Sequence, residues 1–258
     1  ELLDRGRCEV GAHLHPWVNP PLSEVISGAN SYLCNLPLEL QQEKVIELTG
    51  AIEKNLHVHP RTFKAGRYGL DFRLVPFLQS LGYRVDTSVL SYSDMTEDSG
   101  PDFSRFASEP FRFEAPPDEQ TGDCLPLLEV PSTAGFTRRP FSWSSRAYRF
   151  ASLRQIRWLR LRGILWRSRL LRRVVLSPEG FEVRDLLRIV NGLHRGGASV
   201  LNVTLHSPSL QPGNTPYVRN EQELIVLLDR LRRTLEYARD LGAEPLTMSE
   251  LAEDWRSA

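Results

Sequence analysis

Hydrophobic and polar positions follow two rhythms along this chain. Residues 39–56 place Leu40, Val45, Leu48 and Ile52 at helical spacing and predict an amphipathic helix. Thr62, Phe63, Lys64 and Ala65 read as a short strand that ends in the turn Gly66-Arg67-Tyr68-Gly69. Residues 71–81 predict a helix closed by Gly82, and residues 83–89 a strand. Residues 91–123 are rich in Ser, Asp, Glu and Pro and predict a long excursion rather than core. Strands are predicted again at 127–131 and 174–176, followed by a helix at 183–193. Residues 199–205 predict an apolar strand ending at His206, and residues 220–241 a long helix closed by Gly242. Strands alternating with helices argue for βα units and a parallel sheet. No internal repeat is visible.

Composition narrows the class. The chain has 258 residues, 41% hydrophobic and 25% charged, which is globular rather than disordered. An α/β barrel of this size folds as a single domain, so one domain over residues 1–258 is expected. No apolar run reaches the roughly eighteen residues of a membrane span. The opening Glu1-Leu2-Leu3-Asp4-Arg5-Gly6-Arg7 has neither an initiator Met nor a signal peptide. It reads as the tail of a helix, and a preceding N-terminal segment is expected. Cys8, Cys34 and Cys124 are odd in number and widely spaced, so neither a disulfide framework nor a zinc knuckle is expected. A reducing, cytoplasmic home follows.

Net charge is zero, but it is unevenly spread. Twelve arginines and no acidic residue lie between Arg138 and Arg173, leaving 20 basic and 32 acidic side chains elsewhere. Trp143, Trp158 and Trp166 are interleaved with leucines and isoleucines in that stretch. Two readings stand. A basic helical insertion could dock on an anionic membrane surface, at the inner face, or on an anionic ligand. Alternatively the arginines pair with acidic residues elsewhere. Nucleic acid is not expected, because no recognition motif or aromatic platform accompanies the charge.

The candidate chemistry begins at Gly11-Ala12-His13-Leu14-His15-Pro16-Trp17. Histidines at i and i+2 of an extended segment share a side, so both imidazoles can reach one metal ion. A hydrolytic metal usually has three protein ligands plus water, and no acidic residue beside this motif completes the set. Trp17 opens an irregular loop, Trp17-Val18-Asn19-Pro20-Pro21, of the kind that rims a site. His13, His15, Lys64, Arg67, Tyr68, Asp86 and His206 all fall at or just beyond the C-terminal ends of predicted strands, the face that carries chemistry in a parallel barrel. His57 and His59 repeat the spacing, but before Pro60 they read as exposed loop histidines. His194 suits the end of a helix. Trp143 and Tyr217 read as buried aromatics rather than sugar platforms.

Four segments in order, Glu9 to Trp17, Phe63 to Gly69, Val85 to Ser88 and Leu201 to Ser207, resemble the polysaccharide deacetylases with a NodB-homology domain, carbohydrate esterase family four. The likeness is closest to the branch associated with lipopolysaccharide and exopolysaccharide synthesis, and it covers roughly residues 8–250. The resemblance implies a distorted (β/α) barrel, here lacking its first strand and carrying the basic helical insertion. It implies a divalent metal, with zinc expected, and removal of N-acetyl groups from a glycan. His13 and His15 take the metal-ligand positions, although the family spaces its histidines four apart. Lys64 takes the position of an arginine that tethers the catalytic carboxylate, with Arg67 as the alternative; a lysine lacks the bidentate fork. Asp86 resembles the carboxylate that orients that group, and His206 the histidine that protonates the leaving amine. A backbone N–H near Tyr68 would hold the oxyanion. The family's first motif, a pair of aspartates, has no counterpart before His13, so this chain is expected to be a poor enzyme by itself. The other readings are an amide hydrolase on a small non-sugar substrate and a non-catalytic glycan-binding remnant. The oligomeric state is left open.

Overall fold

A computed structural model of the chain describes residues 3, 5, 6, 8–113, 126–151, 161–168 and 170–255. It is a mixed α/β structure with a parallel sheet and, among the described residues, seven α-helices. The strands are β1 (Ala12–Leu14), β2 (Thr62–Ala65), β3 (Val85–Asp86), β4 (Ser93–Asp94), β5 (Asp102–Phe103), β6 (Phe111–Arg112), β7 (Leu128–Glu129), β8 (Ala134–Phe136) and β9 (Arg173–Val175). The helices are α1 (Leu38–Leu56), α2 (Val75–Ser80), α3 (Phe141–Ala151), α4 (Leu161–Arg167), α5 (Val183–His194), α6 (Glu221–Asp240) and α7 (Met248–Asp254). No helix among the described residues is long and apolar enough to cross a membrane. The chain forms two compact units: Glu1–Phe103, Pro110–Pro131 and Pro245–Ala258 make the first, Ser104–Glu109 and Ser132–Glu244 the second.

The first unit is built on the sheet β1-β2-β3-β7-β6, parallel throughout except for β6. Its register sets His13 opposite Lys64, Phe63 opposite Asp86, and Asp86 opposite Glu129. Strand period two explains β1: Ala12 and Leu14 are buried while His13 between them is exposed. Leu14, Phe63, Leu74, Leu78 and Leu127 join Val45 of α1 in one core. α1 ends where His57 turns left-handed at φ 56°. The helix predicted over 71–81 divides, because Asp71 caps one 3-10 turn by accepting from the Arg73 N–H at 2.9 Å before α2 begins. Gly82 follows at φ 89°, a conformation that suits glycine.

The second unit pairs β8 with β9 antiparallel and packs α5 and α6 against them. Leu186, Ile189, Val190 and Leu193 form the buried stripe of α5, beneath Val174 and Leu176. Asn220 caps α6 by accepting from the Glu223 N–H at 3.0 Å.

Several expectations change. In the opening segment Leu3, Arg5 and Gly6 lie in a turn, with the Gly6 N–H on the Leu3 carbonyl at 2.9 Å; residues 1, 2, 4 and 7, on which the expected helix tail also falls, lie outside the described set. Residues 91–113 carry three two-residue strands, with β4 and β5 paired antiparallel; residues 114–123 lie outside the described set. Residues 199–205 form no strand: only scattered backbone bonds, such as Thr204 N–H to the Leu176 carbonyl at 3.1 Å, replace a continuous ladder. The arginine-rich stretch is helical at α3 and α4; residues 152–160 and Arg169, within it, lie outside the described residues.

Candidate functional site

Four adjacent parallel strands of the first unit each deliver a titratable side chain at or beside their C-terminal ends. From β1, the rings of His13 and His15 lie 4.7 Å apart, tilted by 41°. Trp17 stacks on His15 at 5.5 Å. Lys44, fully buried on α1, secures the loop that follows: its Nζ donates to the carbonyls of Pro16, Asn19 and Pro21 at 3.0, 2.8 and 2.5 Å and pairs with Glu24 at 3.0 Å. Gly66 also lies against the His15 ring. A Cβ there would stand 2.6 Å from ring carbons Cγ and Cε1, so only glycine leaves the imidazole its place.

Half-buried Lys64 and fully buried Asp86 and Glu129 form a cluster across β2, β3 and β7. The Lys64 ammonium donates to the Thr87 carbonyl at 2.6 Å and to the Thr87 hydroxyl at 3.2 Å. Burial pushes its pKa down to about 8, against the pull of Asp86 and Glu129. Asp86 accepts from the Ser88 N–H and hydroxyl, both at 2.8 Å, and Glu129 accepts from the Val89 N–H at 2.9 Å. Burial raises the pKa of both carboxyls. Glu129 is raised much further because it faces the charge of Asp86. The positive charge of Lys64 opposes the rise at both carboxyls.

The turn after β2 brings in Arg67 and Tyr68, both with left-handed backbone, at φ 54° and 61°. Such residues cost energy and gather where a fold needs a particular shape. Tyr68 places its ring 4.8 Å from the Lys64 ammonium. Arg67 turns elsewhere: it lies over the Tyr32 ring at 4.5 Å and donates to the Tyr32 hydroxyl at 2.9 Å. Of Lys64 and Arg67, it is Lys64 that feels the charges of Asp86 and Glu129.

His206 belongs to the second unit. Its Nδ1 lies 2.7 Å from Oε2 of Glu179, and its backbone N–H donates to Oε1 at 3.2 Å. The Ser209 hydroxyl donates to the same Oε1. The carboxylate is buried and the imidazole is 62% exposed. A carboxylate on Nδ1 sets the tautomer and leaves Nε2 to exchange protons with solvent or substrate.

Sequence reasoning passed over Glu129, Glu179 and Lys44. Glu129 follows directly on the apolar strand residue Leu128, a signal like the one that singled out Asp86, whereas Glu179 lies four residues beyond the end of β9. Lys44 falls within the apolar stripe of α1, four residues from both Leu40 and Leu48. Among the described residues, no group of three or more His, Cys, Asp or Glu is placed to hold a metal ion. His57 is the left-handed cap of α1, and His59 bonds Glu53 at 2.5 Å and the Leu81 carbonyl at 2.9 Å. Trp143 and Tyr217, expected inside, are 72% and 47% exposed. Comparison with protein-family models, curated proteins and solved structures found no match.

Proposed function

We propose that this chain is a metal-dependent hydrolase of the polysaccharide-deacetylase type, its sheet part of a distorted (β/α) barrel. Its reaction is removal of N-acetyl groups from a sugar of a cell-surface polysaccharide or its lipid-linked precursor. The observation that carries the reading is the row of titratable groups on four neighbouring strand ends: His13 and His15, then Lys64, Asp86 and Glu129. In parallel α/β folds that edge is where substrates are handled.

The fit to a metal is partial. His13 and His15 supply two imidazoles, a hydrolytic zinc takes three protein ligands, and the described residues add no third. No chemical step is derived through the ion. The chain's own groups support acid–base chemistry in each unit. Lys64 and Asp86 keep a charged pair fixed beneath the strand ends, with the Tyr68 ring beside the ammonium. His206, oriented by Glu179, presents Nε2 outward as a proton donor for a departing amine. The exposed Trp17 beside His15 offers a face for a sugar ring. Arg138 to Arg173 would hold an anionic membrane surface near a lipid-linked substrate.

The missing third ligand favours a second reading, a glycan-binding protein without hydrolysis. Acetate release from N-acetylated oligosaccharides, beside calorimetric titration with zinc, separates the two. The hydrolase predicts zinc binding that His13→Ala abolishes, and acetate release that His206→Ala lowers about 10²–10⁴-fold. Oligosaccharide binding without acetate release supports the second reading. Release only from small non-sugar amides moves the substrate class, and the absence of all three overturns both readings.

A further inference from the structure

One stripe of α5 is built for positive charge. Arg188, Asn191, Gly192 and Arg195 fall at i, i+3, i+4 and i+7, so they share a helix face. Leu186, Ile189, Val190 and Leu193 are buried on the other side. The chain leaving β8 lays Thr137, Arg138 and Arg139 beside that stripe. Together these residues line a cleft of about 460 Å³ in the second unit. Small-molecule sites measure roughly 300–1,000 Å³.

The lining carries charge of one sign. Four arginines line the cleft and no acidic residue does. The one acid of α5, Asp185, is buried and bonded to Arg172 at 2.6 Å, which leaves Arg188 3.8 Å from its second oxygen. Arg138 donates its Nε–H to the Leu170 carbonyl at 2.6 Å, a neutral partner. Among the described residues, no carboxylate pairs with Arg138, Arg139 or Arg195. All four arginines are exposed, so a ligand can reach them. A guanidinium cannot shed its proton to relieve this repulsion. The C-terminal carbonyls of α5 attract a cation at the helix end, but that effect is confined to the last turn. It gives no reason for β8 to bring two more.

The glycine is part of the arrangement. A Cβ at Gly192 would meet the Phe141 ring at 2.9 Å and the Arg139 Cδ at 3.8 Å. Bare backbone lets both lie on the helix and brings Arg139 to the stripe.

We propose that this cleft binds a diphosphate group, carried either on a soluble molecule or on a lipid headgroup. Planar guanidinium forks match phosphate oxygens in pairs. Four forks offer more donors than a single phosphate can use, and the cleft has room for two phosphates with Thr137 and Asn191 as neutral donors. The inference rests on the second unit; it shares Arg138 and Arg139 with the stretch proposed to face a membrane, and uses none of the groups proposed for hydrolysis.

The test uses the full chain and two probes at low salt: inorganic pyrophosphate by calorimetry, and flotation with diacylglycerol pyrophosphate in phosphatidylcholine vesicles. Arg139→Gln and Arg188→Gln are compared with Arg232→Gln, an exposed arginine on α6, and circular dichroism checks that each variant is folded. Saturable binding is expected, weakened about tenfold or more by each cleft variant and unchanged by Arg232→Gln. Pyrophosphate binding without flotation identifies a soluble ligand. Flotation with the same arginine dependence identifies a membrane-borne headgroup. The proposal is overturned if neither probe binds, or if all three variants bind alike.

Discussion

Gly66→Ala tests the packing that holds the histidine pair. Its φ is not in the left-handed region, so the backbone accepts alanine and the added methyl is the whole perturbation. That methyl would lie 2.6 Å from two carbons of the His15 ring, about 0.9–1.4 Å inside the optimal carbon–carbon separation of about 3.5–4.0 Å. The imidazole cannot simply slide away, since Trp17 stacks on it at 5.5 Å and Lys44 secures the loop behind. Overpacking of this kind costs about 1–3 kcal/mol. For a chain of this size each kcal/mol lowers the melting temperature by roughly 2–4 °C. Thermal melts of wild type, Gly66→Ala, His15→Ala and the double variant form a cycle. Removing the ring makes room for the methyl, so the double variant should lie above the additive expectation by on the order of 1 kcal/mol or more. Gly66→Ala should also move His15 off its 4.7 Å partner His13 and weaken zinc binding in calorimetry. A Gly66→Ala protein that melts with wild type, or a strictly additive cycle, refutes the argument.

Glu129→Gln should change how stability depends on pH. A folded pKa raised above the ordinary 4.5 gives stability that is full below that value and lost as pH rises through the folded one. Wild type should therefore lose up to about 1.4 kcal/mol per pH unit across that window. The amide flattens the slope in urea unfolding, and an unchanged slope would put the proton elsewhere. Glu179→Ala strands the His206 N–H and the Ser209 hydroxyl, costing about 1.5–3 kcal/mol. Hydrogen exchange at the His206 amide should quicken, and unchanged protection would argue against the bond. Lys44→Met leaves Glu24 and three carbonyls without their ammonium and should destabilise the first unit by about 3–5 kcal/mol. Proteolysis within residues 16–24 reads the release of the loop; equal resistance would show that it is held by other contacts.

Local pattern was enough for the long helices and for the positions nearest a strand end. The apolar stripes of α1, α5 and α6 repeat within a few residues, so their extents were legible to about one residue. Alternation likewise turned His13 away from the core beside buried Ala12 and Leu14. What lay beyond local pattern was every choice made by strand neighbours. Asp86 meets Glu129 because β3 pairs with β7, and His206 meets Glu179 because residues 199–205 run beside the end of β9. Neither pairing leaves a periodic trace in the chain. The same holds for Arg67, three residues after Lys64, whose left-handed backbone and bond to the Tyr32 hydroxyl no local pattern announces. Side-chain periodicity reports which face a residue takes, while the partner it finds there depends on strand order and register, which non-local packing sets.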